Sequence, residues 1–201
     1  MRERKTKTHF SWMAGFAMLA GCGGTGTRPD DMSAPEHRAA ALRAERRADD
    51  HRNHAAVGAE PRQGTSRHFA MSASFRARAA EHRAAAQALN GVESELCSGI
   101  PDAVRNTCPL MDHPIILVEN TSEGVRVTYG GVEAAELGRH ARCHAAHGAA
   151  QGHESMAGCP LFRPSLQIST EPAAGGAVLD LRSADPAVRG ELQSMYEVQP
   201  E

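Results

Sequence analysis

Large apolar side chains are almost absent from residues 33–71 and recur regularly after Phe75. Ser33-Ala34-Pro35-Glu36 has the form of a capping box, with Ser33 as N-cap and Glu36 reaching back. The helix it opens, through about residue 48, is mostly Ala, Arg and Glu, and 49–71 stays polar with Gly58, Pro61 and Gly64 as breakers. So little apolar surface predicts a mobile stalk with marginal helix. Beyond it, Phe75, His82, Leu89 and Leu96 recur every seven residues, with Ala79, Ala86 and Val92 or Glu93 between them. That spacing is one helix stripe. Asn90-Gly91 is a candidate break, and Gly99 followed by Pro101 is the stop.

The pattern then changes to period two and repeats. One unit reads CPLMDHPIILVENTSEGVRVTYGG from Cys108, and a second reads CPLFRPSLQISTEPAAGGAVLDLRS from Cys159, 51 residues later. Each holds Cys-Pro-Leu, an apolar strand (115–118; 166–169), a Gly-containing turn and an alternating strand. The alternating positions are Val125, Val127, Tyr129 and Ala177, Leu179, Leu181. A helix follows each, the first over about 132–150, the second opened by Asp185 as N-cap and Pro186 at the first turn. The expected fold is α+β, ordered α-ββ-α-ββ-α: a four-stranded antiparallel sheet from two hairpins, covered by helices on one face. The repeats span about 97–150 and 151–201 within a domain of residues 72–201.

The N-terminus adds an address. Arg2, Arg4, Lys5 and Lys7 precede the short apolar run SWMAGFAML, which ends in Leu19-Ala20-Gly21-Cys22. This arrangement is a secretory signal too short to span a bilayer. Its ending resembles the lipobox of bacterial lipoproteins. The resemblance covers residues 1–22 and implies cleavage of 1–21 and acylation of Cys22. Two or more chains would anchor the protein stably to a membrane of the cell envelope. Gly23 after the cysteine favours the outer membrane, and 22–71 becomes tether and stalk. From Cys22 onward there are 18 Arg, no Lys and 23 acidic residues, a net charge of −5. No basic face is implied, so nucleic acid is not an expected partner.

An envelope address makes disulfides the default for Cys97, Cys108, Cys143 and Cys159. Each unit has one cysteine in the preceding helix and one opening Cys-Pro-Leu. Equivalent bonds then pair Cys97 with Cys108 and Cys143 with Cys159.

GRHARCHAAHG, residues 138–148, carries the candidate chemistry. On a helix, His140, Cys143, His144 and His147 share with Glu133 and Glu136 a stripe about 100° wide. His140/His144 and Cys143/His147 have the i, i+4 spacing that brings two ligands to one ion, and His153 lies just beyond. Imidazole ligation suits Zn or Cu. The alternative is an alanine face packed on the sheet with the polar stripe in solvent. His140-Ala141-Arg142-Cys143-His144 lacks the first cysteine of a c-type haem motif. No glutamate sits inside a His pair as in H-E-x-x-H, and neither G-x-S-x-G nor a P-loop occurs. The leading expectation is therefore a non-enzymatic envelope lipoprotein that binds a protein or small ligand. The alternatives are a periplasmic metal-binding protein using 133–147, or an enzyme without a visible constellation.

Overall fold

A computed structural model describes residues 31–57 and 62–197. The signal segment, Cys22 and the tether at 23–30 lie outside the described residues. Two long helices come first, α1 (Ala34–Val57) and α2 (Arg62–Leu96). Glu36 reaches back as the capping box predicts: the Ser33 N–H donates to Glu36 Oε2 at 2.6 Å, and the Ser33 hydroxyl donates to the same oxygen at 2.7 Å in place of capping the Glu36 N–H. The helix expected from Ser33 to about residue 48 runs on to Val57 and, in place of standing as a marginal stalk, packs along α2, which runs unbroken through Asn90-Gly91. Ala34, Ala41, Ala44, Ala48 and Ala55 of α1 are buried, as are Ala79 and Ala86 of α2. Alanine ridges let the axes approach closely, so burial is spread over many small contacts rather than a few large side chains.

After a four-residue helix, α3 (Asp102–Arg105), come β1 (Ile115–Asn120), β2 (Gly124–Gly130), α4 (Ala134–Gln151), β3 (Leu166–Ala173), β4 (Gly176–Ser183) and α5 (Pro186–Tyr196). Short 3-10 turns occupy Pro109–Asp112 and His153–Met156. The four strands form one antiparallel sheet ordered β1-β2-β4-β3. The fold is α+β, with the two hairpins the sequence predicts. Asp185 caps α5 by accepting from the Ala187 N–H at 2.8 Å, and Pro186 opens that helix.

The central pairing exposes a relation between the repeats. Val127 lies opposite Leu179, Val125 opposite Leu181, and Tyr129 opposite Ala177. Val125, Val127 and Tyr129 correspond in the repeat to Ala177, Leu179 and Leu181. The two units therefore meet across a local twofold axis at the Val127–Leu179 pair. Alternation puts these six residues on one face, under α4 and α5, where they join Leu137, Leu161, Phe162, Val188 and Leu192 in the core. Each of the large side chains there contributes roughly 1.5–3 kcal/mol by leaving water. The other face carries Arg126, Asp180, Ser169, Glu171 and Arg182. Across it Arg126 pairs with Glu171, and Arg182 with Asp180.

The twofold also corrects the expected cysteine pairing. The bonds are Cys97–Cys143 and Cys108–Cys159, with Cα–Cα separations of 4.7 and 5.7 Å. The Cys-Pro-Leu cysteines of the two units join each other, and so do the helical ones. Equivalence between the units predicts one bond from each helix to the start of its following hairpin, Cys97–Cys108 and Cys143–Cys159. The axis brings Cys108 against Cys159, and the end of α2 against α4, so neither bond ties a helix to the hairpin that follows it.

Candidate functional site

The histidine stripe lies on α4, an alanine-rich helix that begins after Glu133 and ends at Gly152, whose φ of 112° favours glycine. Small residues seat it closely on the layer beneath. A Cβ built on Gly148 would stand 3.1 Å from the Phe162 ring, so only glycine fits without displacement. One side of α4 meets β3 and β4, and another meets α2 and α3. The stripe is consequently neither a solvated face nor a common ligand set. It is the seam between α4 and the helices preceding the sheet.

Each stripe residue has its own surroundings. Cys143 is fully buried and bonded to Cys97. His144 is fully buried, and its Nε2–H donates to the Val104 carbonyl at 2.9 Å, leaving a buried Nδ1 without a hydrogen-bond partner. Burial pushes the His144 imidazole below its usual range; the Val104 bond opposes this, and the charges of His147 and His140 add to it. His147 Nδ1 lies 2.5 Å from Glu93 Oε1 of α2, and both side chains are largely enclosed. Gln151 reaches the other Glu93 oxygen at 3.5 Å. His140 is half-buried, and Glu133 and Glu136 are exposed at the start of the helix. His153 faces the start of α1 instead. Burial lowers its pKa, with Glu36 opposing and Arg163 reinforcing. Among the described residues, no three or more His, Cys, Asp or Glu side chains gather as a metal-holding group.

A different surface stands out, one the period-two pattern alone could not single out. The outer strands β1 and β3 occupy equivalent positions about the twofold, yet their edges differ. β3 packs on α4, carries Pro172 within the strand and exposes Gln167, Ser169 and Glu171. Those features blunt a sheet edge. β1 has β2 as its main neighbour. Its residues Ile115, Ile116 and Leu117 are 52%, 59% and 51% exposed, and nearby Met111 is 82% exposed. The Thr121 N–H donates to the Gly124 carbonyl at 3.0 Å. Antiparallel alternation from that pair turns the N–H and C=O of Val118 and Asn120 away from β2. A register shift between Ile115 and Leu117 marks a bulge at the start of the strand. The signal for this edge in the sequence is Ile115-Ile116-Leu117-Val118, which resembles any buried strand until the topology places it outermost.

No family model, curated protein or solved structure matches the chain.

Proposed function

We propose that the protein is a non-enzymatic lipoprotein of the bacterial cell envelope, anchored through Cys22 and binding an extended segment of another envelope protein at the β1 edge. The anchor rests on Leu19-Ala20-Gly21-Cys22. The carrying observation for binding is the contrast between the two outer strands: β3 is blunted, and β1 presents free backbone groups beside exposed Ile115, Ile116 and Leu117. An added strand takes its affinity from main-chain hydrogen bonds and its specificity from alternate side chains.

The test places a photo-crosslinking residue at Ile115, and separately at Ser169, in the native envelope. A discrete product from position 115, absent from 169 and lost in an Ile116→Lys/Leu117→Lys variant, supports the edge. A product of twice the chain's mass identifies a second copy as the occupant. No product from position 115 rejects the edge. Detergent phase partitioning tests the anchor separately: wild type should enter the detergent phase and Cys22→Ser the aqueous phase.

A further inference from the structure

The hairpin brings together histidines that the sequence scatters over an arm with little to bury. His37 of α1 meets His82 of α2, with Nδ1 atoms 3.0 Å apart. Two heptads along, His51 meets His68 with Nδ1 atoms 3.1 Å apart. Fourteen residues of helix, about 21 Å, separate the two layers. Ala41, Ala44 and Ala79 pack between them, and their small size lets opposing imidazoles reach one another. His37 is buried and the other three are half-buried. At these distances the two nitrogens of a pair cannot both carry protons: one N–H donates to the other's lone pair.

We propose that each cross-helix pair, His37–His82 and His51–His68, binds one borderline transition-metal ion, Cu(II) or Zn(II), through its two Nδ1 atoms. The proposal is independent of the anchor and of the β1 edge. Two metal–nitrogen bonds of about 2.0–2.1 Å at a tetrahedral angle place their nitrogens about 3.3 Å apart. Each pair needs to open by only about 0.3 Å, and the ring that gives up its Nδ1 proton takes one up from solvent at Nε2, so both ligands remain neutral imidazoles. Water fills the remaining positions, since no third His, Cys, Asp or Glu converges on either pair among the described residues.

His37 and His82 line an open groove of about 680 Å³ that also holds Met32, Arg78 and Glu81, so an ion can reach the first pair from solvent. At the other pair, the His54 ring lies 5.6 Å from that of His68. The His54 Nδ1–H donates to the Asp50 carbonyl at 2.8 Å, which leaves Nε2 as the lone-pair atom.

The competing account is that the pairs are polar layers fixing the register of an alanine-rich hairpin. Calorimetric titration of untagged, full-length, oxidised protein in detergent with Cu(II) and with Zn(II) separates the two. The expected result is two ions per chain with micromolar or tighter affinity. His82→Ala and His68→Ala should each bind one ion, the double variant none, and His140→Ala two. Circular dichroism checks the helices, and a variant that loses them is replaced by its Gln counterpart. Imidazole nitrogen couplings should appear in the Cu(II) resonance spectrum of wild type. Each ion bridges two helices, so it should raise the unfolding midpoint of wild type and leave that of the double variant unmoved. No stoichiometric binding by wild type, or binding that survives loss of both α2 histidines, overturns the proposal. An ion that survives the loss of one pair's histidine overturns the site at that pair.

Discussion

Val127 and Leu179 face each other across the two central strands, at the point where the repeated halves of the sheet meet. Both are fully buried, and the strand register is symmetric about them. About this point each bonded cysteine meets its counterpart in the repeat, Cys97 with Cys143 and Cys108 with Cys159.

Peptide mapping of oxidised, thiol-trapped protein should therefore recover Cys97 with Cys143 and Cys108 with Cys159. The bonds span 46 and 51 residues, so each restricts the unfolded chain by about 4 kcal/mol on loop-closure entropy. The loops overlap, so their contributions do not add. A Cys108→Ser/Cys159→Ser variant should lose a few kcal/mol in denaturant unfolding. Recovery of a Cys97–Cys108 peptide would refute the symmetric pairing.

Gly148 and Gly91 should respond oppositely to a side chain. Valine at 148 meets the Phe162 ring, whose atoms stand 3.1–3.2 Å from where its Cβ would sit, and should cost about 1–3 kcal/mol as α4 shifts. A Cβ at Gly91 meets nothing within 4 Å inside α2, so Gly91→Ala should stabilise by about 0.5–1 kcal/mol. Urea midpoints for the two variants check the contrast; movement in the same direction contradicts the packing described.

The Tyr129 and Tyr196 hydroxyls are 2.9 Å apart where α5 crosses the sheet. Burial, and then Tyr196, push Tyr129 far above its usual 10, and burial pushes Tyr196 up to about 12. Folded tyrosines hold protons that unfolded ones release. Stability should thus be intact below pH 10 and decline between about 10 and 12. Tyr129→Phe strips Tyr196 of its partner and should cost about 1–2 kcal/mol at neutral pH. Alkaline unfolding of wild type and a Tyr129→Phe/Tyr196→Phe variant measures the rest: equal slopes above pH 10 would contradict it.

His144 sets the acid limit. Its imidazole is held neutral by burial, with a pKa below the usual 6.5. As pH falls through 6.5 the unfolded chain takes up a proton that the folded one refuses, so stability is present above that pH and lost below it. His82 and His153 are lowered too and add in the same direction. His144→Gln should flatten the fall in stability between pH 6.5 and the folded-state pKa. An unchanged slope in equilibrium denaturation would show that His144 is not the group responsible.

The α4 stripe shows where local pattern loses its power. Helical spacing correctly predicts that His140, Cys143, His144 and His147 share one side of a helix. It does not say what lies opposite. Glu93, Cys97 and Val104 come from segments 40 to 54 residues away in sequence, and they turn a candidate ligand set into a packing seam. Conversely, α1 looks too poor in large side chains to order, because counting them misses how closely two alanine ridges approach.

By itself the sequence determined the elements that depend on neighbours in the chain. Those are the capping box at Ser33 and Glu36, the cap at Asp185, the two alternating hairpins and the period of α4. Each follows from backbone hydrogen bonding and side-chain direction over a few residues. The tertiary structure alone decided the rest: which cysteines bond, which outer strand stays open, and which histidines meet. Those outcomes depend on distances between segments remote in the chain, set by the twofold meeting of β2 with β4 and the close packing of α1 on α2.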